Sequence, residues 1–579
     1  MSFRSQIIRL FFMKPHRVII ALFWFTQGKK QRAINRLRLL ITPEMQFQLW
    51  LNQKVNKKEM LYESNTDINS VDETHIRFLV CCCDDEGNAI YYPHKSIQAQ
   101  SYQHWQFYNP KSTNVSTFDY VIWVKQNDLL PEYALTELAN YILGGPFTNN
   151  DDTDNESVKK KITNTNCPDV VYSDHDYVYK RKREHPYFKG GWNPVLLDHS
   201  DYIMGLCAVK CSLLVQCSFA TWQNRYELLR RLSADSELEV RHIPRILYHV
   251  FKTSSGLPSS KHLQDSITNK MDYYQGHLGL YFKKPEAVGY EKNKPPFVSI
   301  LIPTRDMLSL LKPCIDSVLS KTVYLNYEIL ILNNDSVKAG TLAYFKSLAT
   351  QDNIRILDYA GSFNYSAINN FGVKHAKGDY VCLLNNDTKV ISPNWLGNMV
   401  DWACQPNVGA VGAKLLYADK SIQHAGVQIG LGSLAGHGHR FLRNKKSGYF
   451  YQAHIPQQVM AVTAACLLVN KNKFIQVGGL DEKDFTVAFN DVDFCLKLDK
   501  LNYRNIYEPR AVLFHYESKS RGKDIKGNKK QRYMREVKTL QQRWQTNTKL
   551  DRFYNENLTK EREDFSLDMN VIKRVSEKP

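Results

Sequence analysis

Short apolar runs closed by polar turns recur through the second half of this chain. Phe297-Val298-Ser299-Ile300-Leu301-Ile302 leads into Pro303-Thr304, and Tyr327-Glu328-Ile329-Leu330-Ile331-Leu332 leads into Asn333-Asn334-Asp335-Ser336. A third run, Asp379-Tyr380-Val381-Cys382-Leu383-Leu384, ends at Asn385-Asn386-Asp387-Thr388. Runs this short, apolar and β-prone, predict buried strands. Between them the pattern turns helical. Residues 308–320 read as an amphipathic helix, and residues 365–376 as a helix stopped by Gly378 as its C-terminal cap. Strands alternating with helices predict an α/β fold with a parallel sheet, whose ligands bind at the strands' C-terminal ends. Thr304, Asn333 and Asn385 all fall at such ends, which argues for one shared site.

The first half carries a fainter copy of the same pattern. Ile76 to Val80 and then Cys81-Cys82-Cys83 read as one buried strand. Asp119-Tyr120-Val121 repeats Asp379-Tyr380-Val381, Arg225 to Arg230 follows the pattern of Asp491 to Leu496, and Pro244-Arg245 before His249 resembles Pro509-Arg510 before His515. Their common order predicts two copies of one fold. A gapless alignment puts Lys125 opposite Asn385, Asn127 opposite Asp387 and Arg225 opposite Asp491, so the first copy reads as degenerate. Asp128 falls one residue out of register. The expected divisions are a basic helical region at 1–70, the degenerate domain at 71–255, a linker at 256–295, the second α/β domain at 296–525 and a helical extension at 526–579. Asn149 to Asn166 reads as a polar surface insertion.

At 579 residues the chain exceeds what one core organises. Seventy-six Lys and Arg against 58 Asp and Glu leave a formal charge of +18, which suits an anionic partner. No nucleic-acid-binding signature accompanies the charge, so a phosphorylated substrate or a membrane surface fits better. The 12 cysteines form no CxxC pair, which points to reduced thiols. The longest early apolar run, Val18 to Phe25, is eight residues where a span needs about twenty, and no signal-peptide cleavage pattern follows it. Arg4, Arg9, Lys14, Arg17, Lys29, Lys30 and Arg32 flank it. This segment is expected to lie on an anionic membrane surface or to pack on the first domain, in a cytoplasmic, peripheral protein.

Three positions suggest chemistry. Asp387 at a strand end is a candidate ligand for Mg²⁺ or Mn²⁺, and His515, closing Ala511 to Phe514, is a second. Asp491, opening the helical run Val492 to Leu501, is a candidate general base. Ser518-Lys519-Ser520-Arg521-Gly522 could close over phosphates through Arg521. The plain alternatives are a turn Asp, a structural His, an N-capping Asp and a solvated basic loop. Asp493, two residues on, faces elsewhere and reads as structural.

At these residues the sequence resembles the family 2 glycosyltransferases of the GT-A fold, in the two-domain form that builds bacterial surface polysaccharides. The resemblance covers most of 297–570. It rests on Ile302-Pro303-Thr304-Arg305-Asp306, Leu384-Asn385-Asn386-Asp387-Thr388, Gly478-Gly479-Leu480-Asp481-Glu482, Phe489-Asn490-Asp491-Val492-Asp493, His515 and Ser520-Arg521-Gly522. It implies two GT-A-like, Rossmann-like nucleotide-sugar domains, the first degenerate, with helical basic termini. It also implies a metal-dependent, inverting hexosyl- or deoxyhexosyltransferase acting on a nucleoside-diphosphate sugar and a glycan or lipid-linked glycan acceptor. Thr304, Asp306, Asn334, Asn385, Asn386 and Arg521 would bind the donor, Asp387 and His515 the Mg²⁺ or Mn²⁺, and Asp491 would be the base. Asn385 stands where the family has the first Asp of its Asp-x-Asp pair; it keeps an oxygen acceptor but loses the charge. The alternative is a non-catalytic glycan-binding or assembly scaffold on the same fold.

Overall fold

The computed structural model describes residues 46–48, 50–51, 75–84, 89–90, 92–144, 167–214, 224–235, 237–252, 295–516, 527–549 and 551–568. The basic segment around Val18, the insertion at 149–166, the linker 256–295 up to residue 294 and the loop holding Arg521 lie outside these residues. Among the described residues no helix is long and apolar enough to cross a membrane.

Two mixed sheets organise the chain. The first contains β1 (Phe78–Cys83), β2 (Ala89–Ile90), β3 (Trp105–Phe107), β4 (Tyr120–Lys125), β5 (Val170–Tyr179), β6 (Lys182–Tyr187), β7 (Cys207–Lys210) and β8 (Val240–Phe251). Its order is β2-β1-β4-β7-β5-β6, with β3 on β1 and β8 on β5. Helices α1 (Ala134–Ile142) and α2 (Arg225–Leu232) accompany it. Strand β1 is buried along its whole length, Cys81 to Cys83 included, and all three thiols are free.

The second sheet contains β9 (Val298–Thr304), β10 (Tyr327–Asn333), β11 (Ile354–Asp358), β12 (Tyr380–Leu384), β13 (Thr388–Val390), β14 (Val408–Leu416), β15 (Ile422–His424), β18 (Gln457–Val459), β19 (Cys466–Asn470) and β20 (Arg504–His515). A separate hairpin joins β16 (Val427–Ile429) to β17 (Ala435–His437). The main order is β11-β10-β9-β12-β19-β14-β20-β13. The longer helices are α3 (Leu308–Lys321), α4 (Ala339–Leu348), α5 (Tyr365–His375), α6 (Trp395–Ala403), α7 (Asn490–Lys500) and α8 (Gly527–Trp544). Strands β9 to β12 are parallel, as the alternation predicts, but β19 runs antiparallel between β12 and β14. Two apolar clusters fill this part of the chain, one of them carrying Trp395, Leu396 and Met399 of α6 and the other Ile368 and Val373 of α5.

The predicted repeat is visible in the topology. The order β1-β4-β7-β5-β8 matches β9-β12-β19-β14-β20, with the same pairing direction at each step. Phe78 pairs with Tyr120 as Val298 pairs with Tyr380. The bulges repeat as well. The β5/β8 register jumps from Ile243 to Ile246, and the β14/β20 register from Glu508 to Val512. Each jump passes a Pro-Arg pair, because proline has no N–H for the ladder.

Two local expectations are corrected. Helix α5 ends at Ala376 in extended backbone, and Gly378 is not its left-handed cap. A Cβ on Gly378 would lie 2.6 Å from the Ser299 N atom and 2.7 Å from the Phe297 carbonyl, so the glycine serves close approach of β12 to β9. The C-terminal extension is helical only through α8. Residues 551–568 then run as irregular chain between the two sheets. Asn555 Nδ2 donates to Asp174 Oδ2 at 3.0 Å and to the Lys189 carbonyl at 2.8 Å, while Asp551 Oδ2 accepts from Ile429 N at 3.0 Å. Gly190 and Gly191 admit this segment, since a Cβ would lie 2.3 Å from the Phe553 carbonyl and 2.6 Å from that of Arg552. Asn193 reaches across from the first unit, donating to the Gln458 carbonyl at 2.9 Å and accepting from Gln458 N at 3.2 Å.

Candidate functional site

The polar groups at the ends of β9, β10 and β12 meet as the sequence suggests. Asn386 Nδ2 donates to Thr304 Oγ1 at 3.0 Å, and Asn334 N to the Thr304 carbonyl at 2.9 Å. Asp306 and Met307 both have φ of 53°, and Asp335 has φ of 54°. Such left-handed backbone is uncommon outside glycine and belongs to tight turns. Asp306 holds these turns together. Its Oδ1 accepts from Lys338 N at 2.8 Å and Val337 N at 3.1 Å, and its N–H donates to Ser336 Oγ at 2.8 Å. Asn334 is buried, with Nδ2 donating to the Gly361 carbonyl at 2.9 Å and Oδ1 left without a partner. Asp306 and Asn334 therefore shape the loops here, with Asn334 Oδ1 the unsatisfied acceptor.

Asp387 and His515 are brought together by strand pairing. Thr388 of β13 pairs antiparallel with His515 of β20, and Tyr516 N donates to the Asp387 carbonyl at 3.0 Å. Asp387 Oδ1 then lies 3.2 Å from His515 Nε2. Both side chains are largely buried. Opposite, His515 Nδ1 is 2.8 Å from Gln423 Oε1, an oxygen that only accepts. Nδ1 therefore carries a proton, and in the neutral imidazole the lone pair is on Nε2, the nitrogen that faces Asp387. Asn385 Nδ2 lies 3.3 Å from the same Nε2, while Asn385 Oδ1 accepts from the Tyr365 hydroxyl at 3.0 Å. The oxygen that Asn385 keeps in place of the family's first Asp is thus turned to Tyr365, and the amide NH₂ faces the histidine.

Asp491 does not cap its helix. Phe489, at φ of 61°, precedes α7, and Asp491 lies within the first turn. Its Oδ1 accepts from its neighbour Val492 N at 2.9 Å and its Oδ2 from Ala464 N at 3.0 Å. Burial raises its carboxyl above the ordinary value, and the hydrogen bonds from Ala464, Thr463 and Val492 oppose this without reversing it. The next residue, Ala465, accepts from Asn385 N at 3.0 Å. Ala464-Ala465 thus bridges the Asp491 carboxylate to the Asn385 turn. Asp493 is fully buried and binds Arg543 and Trp544 Nε1 of α8, each at 2.9 Å. The same helix supplies Glu536, whose carboxylate accepts from Val487 N at 3.0 Å and Ala488 N at 3.2 Å just before Asp491.

The first unit keeps the outline of this site with different contents. An antiparallel bridge joins Leu129 to His249, as Thr388 joins His515. The turn after β4 is one residue longer than that after β12. This shift puts Asp128, not Asn127, in the place of Asp387, and His249 in that of His515, which corrects the gapless alignment. The carboxylate is consumed. Asp128 Oδ2 accepts from the Tyr248 hydroxyl and Oδ1 from Phe251 N, both at 2.8 Å. His249 Nδ1 lies 2.5 Å from Asp176 Oδ1, and Arg225 at the start of α2 is paired to Asp201.

Sequence reasoning missed Gln423, Tyr365, Ala464 and Glu536. None lies in a motif with the residue it serves; each partner is tens of residues away.

Residues 299–478 match the family model of glycosyl transferase family 2. This part of the chain is similar to glycosyl transferase family 2. An uncharacterized protein of Sinorhizobium fredii is 38% identical over 418 residues, covering 69% of this chain and 46% of its own length. The O-antigen biosynthesis protein RfbC of Myxococcus xanthus is 31% identical over 423 residues, covering 70% of this chain and 31% of its own. The N-acetylglucosaminyl-diphospho-decaprenol L-rhamnosyltransferase of Mycobacterium tuberculosis is 30% identical over 154 residues, covering 25% and 50%. The chain spans half or less of each of these relatives. A solved mannosyltransferase from Pyrobaculum calidifontis, in complex with GDP-Man and Mn²⁺, overlaps 45% of this chain and 64% of its own at 16% identity and a TM-score of 0.32. At that score the overlap adds nothing to the family match. Among the described residues no group of three or more His, Cys, Asp or Glu side chains gathers to hold a metal ion.

Proposed function

We propose that this chain is an inverting glycosyltransferase that moves a sugar from a nucleoside diphosphate to a hydroxyl of a surface glycan, in one displacement. The observation that carries this reading is the link from the Asp387–His515 pair, through Asn385 and Ala464-Ala465, to Asp491. Two candidate ligands and a carboxylate of raised basicity thereby share one end of the sheet.

Asp387 and His515 suit a divalent cation. A carboxylate oxygen and an imidazole lone pair face each other at 3.2 Å, with no proton between them when the imidazole is neutral. Asp387 and His515 would hold Mg²⁺ or Mn²⁺, whose positive charge would offset that on the leaving diphosphate. The Thr304, Asn334 and Asn386 turns would hold the nucleoside, with Asp306 keeping their shape. Arg521 would pair with phosphate. Asp491 would take the proton of the acceptor hydroxyl as that oxygen attacks the anomeric carbon. Inversion needs this one base and no covalent enzyme intermediate.

The first unit, within 71–255, would be a silent copy that positions the catalytic half or its acceptor. A lipid-linked acceptor at the inner membrane face fits the rhamnosyltransferase relative, whose name specifies a diphospho-decaprenol. The testing experiment is incubation of the chain with a panel of nucleotide sugars and Mn²⁺ or Mg²⁺, read as released nucleoside diphosphate. Metal-dependent release from one donor class is expected. No release from any donor, with or without glycan acceptors, would overturn the enzyme reading in favour of a scaffold.

A further inference from the structure

We infer that Gln423 is a positioning residue for the metal site, fixing the tautomer and orientation of His515. This rests on the metal reading above. Gln423 comes from β15, a three-residue strand paired with β14, and it is 5% exposed. Its Oε1 accepts from His515 Nδ1 at 2.8 Å. A neutral imidazole holds one proton, so a proton kept on Nδ1 leaves Nε2 as the free ligand atom. Nε2 is the atom that faces Asp387.

Two further contacts agree with this tautomer. Asn385 turns its NH₂, a donor, towards Nε2, and its oxygen lies 3.0 Å from the Tyr365 hydroxyl, which shares its one proton with the Ala464 carbonyl at 3.0 Å. From Asn385 through His515 to Gln423 the donor direction is then the same, ending on the Gln423 oxygen. His424, the next residue, faces elsewhere and is 2.9 Å from His437 through its own Nδ1. It leaves Gln423 as the acceptor that the structure gives to His515 Nδ1. Partners of this kind around metal-bound histidines change metal affinity by about 10–100-fold when removed.

The test is Mn²⁺ binding to the full chain, followed by the loss of free-ion electron paramagnetic resonance signal, with Mn²⁺ alone as the probe. Gln423→Leu removes the acceptor at similar bulk and should weaken binding about 10–100-fold. Gln423→Glu keeps an acceptor oxygen and should bind Mn²⁺ at least as tightly as the wild type. Asp387→Ala is the reference for a lost ligand. Failure of the wild type to bind Mn²⁺ would sink the metal reading itself. Wild-type binding matched by Gln423→Leu would sink the positioning role alone. Equal weakening by Gln423→Leu and Gln423→Glu, with unchanged melting temperatures, would also overturn it, because a carboxylate accepts the same proton.

Discussion

The Ala464 N–H donates to Asp491 Oδ2 at 3.0 Å, in the loop whose next residue accepts the N–H of Asn385. The carboxylate is held at the site through backbone that leads directly into β19. It is also kept more basic than usual by burial. Replacing Asp491 by Asn keeps the size and an acceptor oxygen but removes the base. Turnover should fall about 10²-fold or more, with donor binding largely retained. Steady-state kinetics beside a nucleoside diphosphate binding assay separate the two; near-normal turnover in the folded variant removes Asp491 from the role.

The same burial predicts a pH profile. A general base works deprotonated, so kcat/KM should fall as pH drops through the Asp491 pKa. Because that pKa is raised, the acid limb should lie above the range of an ordinary carboxylate. An acid limb at or below the free aspartate value would contradict the assignment.

Metal removal should abolish transfer, and both Asp387→Ala and His515→Ala should raise the Mn²⁺ concentration needed for half-maximal rate. Each removes one of the two proposed ligands, which face each other at 3.2 Å. Full activity in excess EDTA is the result that would discard the metal site.

In the first unit, Asp128 is bound by Tyr248 and Phe251 N rather than left open. Asp128→Asn should lower the melting temperature, since one of those donors loses its acceptor, while kcat stays unchanged. Residual transfer by Asp491→Asn that disappears in the Asp128→Asn, Asp491→Asn double variant would show that the first unit is active.

Asp493 should behave differently from its neighbour. It is fully buried and binds Arg543 and Trp544 of α8, so Asp493→Ala should destabilise the fold by about 2–3 kcal/mol. Thermal or urea unfolding measures this. A variant with wild-type stability and lost turnover would move Asp493 into the chemistry.

The strands β9, β10 and β12 were legible because each is a short apolar run ended by polar turn residues, and burial on both faces leaves a continuous apolar run in the sequence. Their shared end also predicted that Thr304, Asn333 and Asn385 would lie together. The doubled fold was legible from a few fragments in a common order, since a repeated topology demands repeated turns and bulges such as those at Pro244 and Pro509. Register across a turn was not legible. Whether Asn127 or Asp128 takes the place of Asp387 depends on one residue of loop length, which only pairing of Leu129 with His249 decided. The antiparallel insertion of β19 was hidden likewise, because strand direction is set by partners and not by the run itself. Gln423, Tyr365 and Ala464 had no signature, for hydrogen bonds between residues 20 to 92 positions apart leave no local pattern. The sequence by itself determined which residues could do chemistry and at which strand ends they lie. Tertiary structure alone decided which lone pair faces which carboxylate, because that depends on donors arriving from other strands.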